Sequence, residues 1–403
     1  MTRIHKIHPT KPSFTFVGSA LPNANYDGRM HIRLLSRTIL DPKVFKNDRT
    51  SANYIKYGSF SPDGSCYLSV SEDNTIVLYH TDERLIEAIK ENTNPELDTD
   101  IIESKFALRV AVKEDFRDLS WFPGFSWSYP DSCCFVAASR NGPIILYDAH
   151  YGKRHFSYKP INASGEIADT YSLSFHHLGK YLLSGGNAAV YVFDIEAPGE
   201  HLEVRKLSTR RGGGQKGIIS TIVHNTCGSS NIYACGSYNG SIGVYDHNES
   251  RNKSIFGDFG DPDNPLGAVT QLKWKDKHML VVGCRSDYYL RIYDVRGDCS
   301  TPIHRFYRPV ATNQRVIFDI REDLVISGST CGDILVYSIL EDSAVTSKHI
   351  SNLPVTVSVF HPTLPIFLTG NGTRCFDEHN INTDNEDKHV EDDIQLNMWS
   401  MGM

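Results

Sequence analysis

The side chains best suited to chemistry lie in one short stretch, Arg205-Lys206-Leu207-Ser208-Thr209-Arg210-Arg211-Gly212-Gly213-Gly214-Gln215-Lys216. Three consecutive glycines let backbone amides approach an anion, and two adjacent arginines can fork onto phosphate oxygens. Lys206, Arg210, Arg211 and Lys216 are therefore candidate phosphate contacts for RNA. The competing reading is a solvated surface loop whose charge serves solubility alone. Other cations fall at turn positions: Arg140, Arg285, and Arg315 at the end of Asn313-Gln314-Arg315. Arg140 and Arg315 are candidate contributors to the same interface, although arginines so placed also tie neighbouring elements through ion pairs.

Tyr293-Asp294-Val295-Arg296 is similar to the WDxR box of cullin-ligase substrate receptors, which makes Arg296 a candidate protein-partner contact. The same tetrapeptide is also a plain ending of a strand. Catalytic constellations are absent from the sequence. Gly236-Ser237-Tyr238-Asn239-Gly240 and Gly328-Ser329-Thr330-Cys331-Gly332 place serine one position too early for a nucleophile elbow. Gly212-Gly213-Gly214-Gln215-Lys216-Gly217 lacks the Gly-Lys-Ser/Thr ending that grips phosphate and magnesium. No His/Cys group has zinc spacing. The expectation is a protein with no catalytic residues, no metal and no cofactor.

The elements that must position these side chains repeat. A strand-turn-strand unit recurs about seven times, every 40–50 residues or so. Its copies end at Tyr79-His80, Tyr147-Asp148, Phe193-Asp194, Tyr245-Asp246, Tyr293-Asp294 and Tyr337-Ser338. That punctuation marks a WD-repeat propeller, all-β and seven-bladed. In the first copy Phe60-Ser61-Pro62-Asp63-Gly64 fixes a tight turn, because Pro presets its own φ and Gly accepts a positive one. The last copy passes Phe360-His361-Pro362 and ends at Ile394–Trp399, with Trp399 in the aromatic place. The acidic stretch 377–393 is then a loop inserted inside blade seven. Ile32–Leu40 is the N-terminal strand expected to close the ring, which removes free sheet edges. Residues 1–30 read as an irregular lead-in and 31–403 as the propeller. Residues 83–115 read as an insertion carrying a short amphipathic helix at Leu85, Ile86 and Ile89.

Composition agrees with one large domain: 403 residues, 40% hydrophobic and 11% aromatic. No apolar run approaches the ~20 residues of a membrane-spanning helix, and the first dozen residues carry no secretory apolar core. Nine scattered cysteines without a C-x-x-C pair point to a reducing compartment, cytosol or nucleus. The net charge of −7 hides an uneven distribution. Residues 377–393 hold eight acidic side chains and one Lys, which accounts for the whole excess. Residues 1–56 hold ten Lys or Arg against three Asp, and residues 201–220 hold five against one Glu. A phosphate backbone would feel such local patches, not the total.

Several strings exceed the generic repeat. They include Asn53-Tyr54-Ile55-Lys56 leading into Phe60–Gly64, Ser139-Arg140-Asn141-Gly142-Pro143-Ile144, Tyr233-Ala234-Cys235-Gly236-Ser237-Tyr238, and Thr312-Asn313-Gln314-Arg315 leading to Phe318-Asp319. Through these, colinearly over roughly residues 50 to 400, the chain resembles the telomerase Cajal body protein 1 family. The resemblance implies an RNA-binding scaffold acting as a monomer within a ribonucleoprotein. Its partners would be a small nuclear RNA of H/ACA or Cajal body type, telomerase RNA among them, and the proteins of that particle. The place would be the nucleus, in Cajal bodies or nucleoplasm, with the cytoplasm as the other compartment. A spliceosomal role, as in fungal relatives, and a protein-only adaptor for a ubiquitin ligase are the alternatives. The chain departs from the family in lacking a long Pro-rich N-terminal extension and in using Tyr or Phe where many members end a blade in Trp.

Overall fold

The computed structural model describes residues 30–39, 54–82, 84, 102–103, 106–208, 213–227, 231–249, 254, 258–373 and 394–402. They form seven sheets arranged as the blades of a β-propeller, antiparallel except for the short edge pairs at Ile102–Glu103 and Gly199–Glu200. Runs of β-branched and aromatic residues build the strands, as at Thr75–His80 and Val355–Phe360. The inner strands, in blade order, are Ile55–Phe60, Phe116–Trp121, Ser172–Phe175, Ile219–His224, Val269–Trp274, Phe318–Arg321 and Val355–Phe360.

The recurring aromatic has one structural address. In every blade it sits on the third strand, directly across from a large residue of the second: Tyr67↔Tyr79, Phe135↔Tyr147, Leu182↔Phe193, Tyr233↔Tyr245, Leu280↔Tyr293, Val325↔Tyr337 and Phe367↔Trp399. Tyr67 and Tyr79 stack with their ring centres 5.0 Å apart, and Phe135 and Tyr147 at 5.5 Å. Such pairs add about 0.5–1.5 kcal/mol beyond the area they bury. The aspartate that follows has a local task. Asp148, Asp194, Asp246 and Asp294 each accept, through Oδ1, the backbone N–H two residues on, and so fix the turn that leaves the third strand. Tyr-Asp is a packing-and-turn device, which explains why it recurs without chemistry.

Seven seams hold the blades together, each bridged by a side chain from an inner strand. Asp118 accepts from Leu173 N–H at 2.8 Å, His224 N–H donates to Ser174 Oγ, and Leu272 N–H donates to Thr221 Oγ1. Gln271 receives Phe318 N–H and donates to its carbonyl, Asp319 accepts from Phe360 N–H, Thr356 donates to the Ile55 carbonyl, and Trp121 Nε1 donates to Ser59 Oγ. Buried polar groups survive because each is paired. At the last seam the Pro-Asp-Gly turn fits against His361, whose Nε2 donates to the Gly64 carbonyl at 3.0 Å. Gly64 has φ +74°, and a Cβ there would lie 2.3 Å from the imidazole, so both the turn and the seam require glycine.

The ring closes as expected. His31–Ile39 pairs antiparallel with Gln395–Gly402 and supplies the outer strand of blade seven. The acidic stretch 377–393 lies outside the described residues. The strands on either side of it in the chain, Ile366–Asn371 and Gln395–Gly402, are neighbours in one sheet. The residues of the expected helix, Leu85, Ile86 and Ile89, are likewise outside. The described end of that same segment corrects the reading of an insertion there: Phe106–Ala111 is the outer strand of blade one. A second correction concerns Arg205. It is not a loop cation but part of Glu203–Lys206, the outer strand of blade three.

Candidate nucleic-acid interface

Strand direction decides which side chains share a face. In an antiparallel blade, the turn between the second and third strands lies at the same end as the connection from the outer strand into the next blade. Arg140 and Arg285 occupy turns of the first kind, and Lys206, Lys216 and Arg315 belong to connections of the second kind. All five therefore stand on one face. Arg296 follows a third strand and stands on the opposite one.

The glycine-rich connection is anchored at both ends. Leu207 is buried among Val190, Val192 and their neighbours. Gln215 is buried too, donating to the carbonyls of Cys235 and Ser241 and accepting from the Tyr245 hydroxyl. Between these anchors an isolated bridge joins Ser208 and Gly214, and Gly214 takes φ +86°. Leu207 and Gln215 are thus fixed on either side of the segment. Arg210 and Arg211 lie within it, outside the described residues. Lys206 and Lys216 are exposed. Lys206 borders a rim groove of ≈520 Å³ with His201 and Tyr191, apart from the centre of the face. Arg205 is spent on structure. Its guanidinium meets Glu203 at 3.1 Å, donates to the His247 carbonyl of blade four and lies over the Tyr233 ring.

At the centre, the channel opens into a mouth of ≈510 Å³. Arg315 reaches it, but is committed beneath. Its Nη1 lies 3.3 Å from Oδ1 of Asp118, which is itself buried. Burial holds the Asp118 carboxyl above its ordinary value, with Arg315 pulling against it. Arg140 flanks the mouth through Asp115, 3.9 Å away, with both side chains exposed. Sequence reasoning missed three members of this mouth: Arg117, Tyr171 and Tyr238. Arg117 lies over Tyr171, its guanidinium carbon 5.5 Å from the ring centre, and Arg285 lies over Tyr238 at 4.4 Å. Arg315 sits over Tyr57 and Lys56 over Phe116, both at 5.9 Å. Each pair joins two blades, so no local spacing reveals it. Aligning the repeats upon one another would have exposed Tyr238 and Arg285, which occupy the same turn in successive blades.

The chemistry available here is recognition. Arginine planes and aromatic faces around a narrow opening suit unpaired bases and phosphates. Among the described residues no group of three or more His, Cys, Asp or Glu side chains is placed to hold a metal ion.

No protein-family model matches the chain. Curated relatives do. Telomerase Cajal body protein 1 of Mesocricetus auratus is 31% identical over 375 residues, 87% of this chain and 66% of that protein. Its Mus musculus counterpart is 30% identical over 375 residues, 87% of this chain and 67% of that protein. The chain belongs to the telomerase Cajal body protein 1 family. A homolog from Drosophila melanogaster is 25% identical over 354 residues, so the family resemblance extends beyond mammals. The chain spans about two thirds of the length of the mammalian relatives. What the family likeness covers is the propeller, the part in which the candidate interface lies.

Proposed function

We propose that this chain is a non-catalytic RNA-binding scaffold. It recognises small nuclear RNAs of the H/ACA or Cajal body type, telomerase RNA among them, and assists the localisation or assembly of their particles in the nucleus. The observation that supports this reading is that Lys206, Lys216, Arg140 and Arg315 share one face, in a chain whose relatives are named for telomerase and the Cajal body. Arg210 and Arg211 sit in the same anchored connection and complete the set. The glycine-rich sequence of this basic segment suits a phosphate backbone, and single-stranded stretches are where sequence is read in RNA.

The test is ultraviolet crosslinking of the tagged protein in its own cells, with sequencing of the recovered RNA. Enrichment of box H/ACA, Cajal body or telomerase RNA is the expected outcome. Spliceosomal RNAs would move the protein to pre-mRNA splicing. No enrichment over an unrelated propeller would overturn RNA recognition and favour a protein-only adaptor. In vitro, reversing Arg210 and Arg211 to Glu is expected to weaken RNA binding without lowering the melting temperature.

A further inference from the structure

Two arginines at the channel mouth are left without carboxylates. Among the described residues neither Arg117 nor Arg285 forms an ion pair, and both are half-buried, laid on Tyr171 and Tyr238. The Nε–H groups of Arg117, Arg285 and Arg315 and the side-chain amide nitrogen of Gln314 are all buried without an acceptor. All four residues line the same mouth. Buried donors without acceptors are uncommon in folded proteins and call for an explanation. Here four of them belong to residues around one opening, whose side chains are thus held without carboxylate partners at those nitrogens.

We propose that the mouth clasps a single unpaired nucleotide of the RNA, with its base stacked against the Arg285–Tyr238 and Arg117–Tyr171 pairs and its phosphate beside the guanidinium groups of Arg117 and Arg285. This rests on the RNA-scaffold reading above and names the place where one nucleotide leaves the strand. A guanidinium held flat on a tyrosine presents its other plane, and arginine planes stack bases as aromatic rings do. The volume of ≈510 Å³ falls within the roughly 300–1,000 Å³ of small-ligand sites and is far too small for a duplex. The mouth also contains carboxylates, Glu72 and Asp115, which disfavour a dense polyanion and leave room for one phosphate. Lys206 and Lys216 stand outside it and would follow the strand on either side.

The experiment titrates a fluorescein-labelled twelve-nucleotide oligouridylate into the full chain by fluorescence anisotropy, with a twelve-base-pair RNA duplex in parallel. The wild type is expected to bind the single strand at least ~10-fold more tightly than the duplex; equal affinity would overturn the proposal. The double variant R117A/R285A is expected to bind the single strand about 10- to 100-fold more weakly at an unchanged melting temperature. Unchanged affinity in this variant, with K206E/K216E weakened, would overturn the clasp and leave the scaffold reading standing. A wild type that binds neither probe would remove both. Should R117A/R285A fail to fold, photocrosslinking of the oligouridylate to the wild type decides. Uridine adducts on Tyr171 or Tyr238 support the clasp, and adducts confined to the opposite face overturn it.

Discussion

The two faces of the ring are built from the same seven inner strands and differ in how they hold their arginines. On the face opposite the mouth, several positive groups are closed by partners, although Lys153 and Lys180 there also rest on rings. Lys273 pairs with Asp319, Lys275 with Asp323 at 2.9 Å, Arg296 with Asp294 and Arg84 with Asp82. Arg321 donates to the Leu364 carbonyl. That face also pushes histidines toward the neutral form. His176, His224 and His247, all lowered by burial, pack together at the seam of blades three and four, with ring centres 4.6 to 6.3 Å apart. At the mouth, by contrast, Arg117 and Arg285 rest on rings alone. The difference teaches that surface charge is informative only after its partners are subtracted. Arg296, the most recognisable cation in the sequence, is held by its own turn; Arg117, which no motif marks, is not.

The sharpest way to break this comparison lies within the mouth itself. Arg315→Ala strands Asp118 as a buried carboxylate without its cation, and a loss of about 3 kcal/mol is expected in urea unfolding. Arg117→Ala and Arg285→Ala remove only ring contacts and are expected to cost less than about 1 kcal/mol each. Equal losses at all three positions would mean that Arg117 and Arg285 are structural as well.

Acid sharpens the opposite face. Burial first, and then His176, push His224 down to about 3; burial and Arg205 push His247 down to about 4, against the pulls of Glu203 and Asp246. Below the ordinary histidine value of about 6.5 the unfolded chain takes up protons that the folded chain refuses. Stability is therefore fully present above pH 6.5 and is lost as the pH falls toward 4. The slope is at most about 1.4 kcal/mol per pH unit for buried His224. Melting curves between pH 7 and pH 5 check this, and His224→Gln is expected to flatten the dependence. A pH-independent melting temperature would contradict neutral burial.

Smaller effects belong to the rim. Lys206→Glu and Lys216→Glu are each expected to reduce the salt slope of RNA binding by about 0.7, measured from 50 to 200 mM salt. An unchanged slope would remove that lysine from the interface. The smallest effect is expected at Arg296→Ala, with neither the melting temperature nor RNA affinity changed, because an exposed pair within one turn adds little. A loss of RNA affinity there would place RNA on the wrong face.

The fold was legible because its signal is local. The Tyr67↔Tyr79 and Phe367↔Trp399 positions recur with their turns, and Pro62-Asp63-Gly64 names its own geometry. Outer strands were harder. Phe106–Ala111 leaves most of its side chains exposed and Glu203–Lys206 buries Arg205 alone, so their sequences read as charged connections. Arg205 shows the limit at the level of one residue. Its burial depends on a carbonyl of His247, 42 residues on in the next blade, and nothing near it in sequence announces that partner. The mouth was half legible for the same reason. Arg140, Arg285 and Arg315 stand at recognisable turns, whereas Arg117 and Tyr171 meet only because two blades are adjacent.

The clasp of blade seven sets a clock on synthesis. His31–Ile39 cannot find Gln395–Gly402 until the ribosome has made nearly everything between them, roughly 20–70 s at 5–20 residues per second. Lys348 also waits, to donate to the Ile32 carbonyl and lie over Trp399. Throughout that interval the nascent ring keeps an open sheet edge at each end, the kind of surface that recruits other strands. The step that completes the circle is thus the last to be possible, and crowded translation should penalise it before any other part of the molecule.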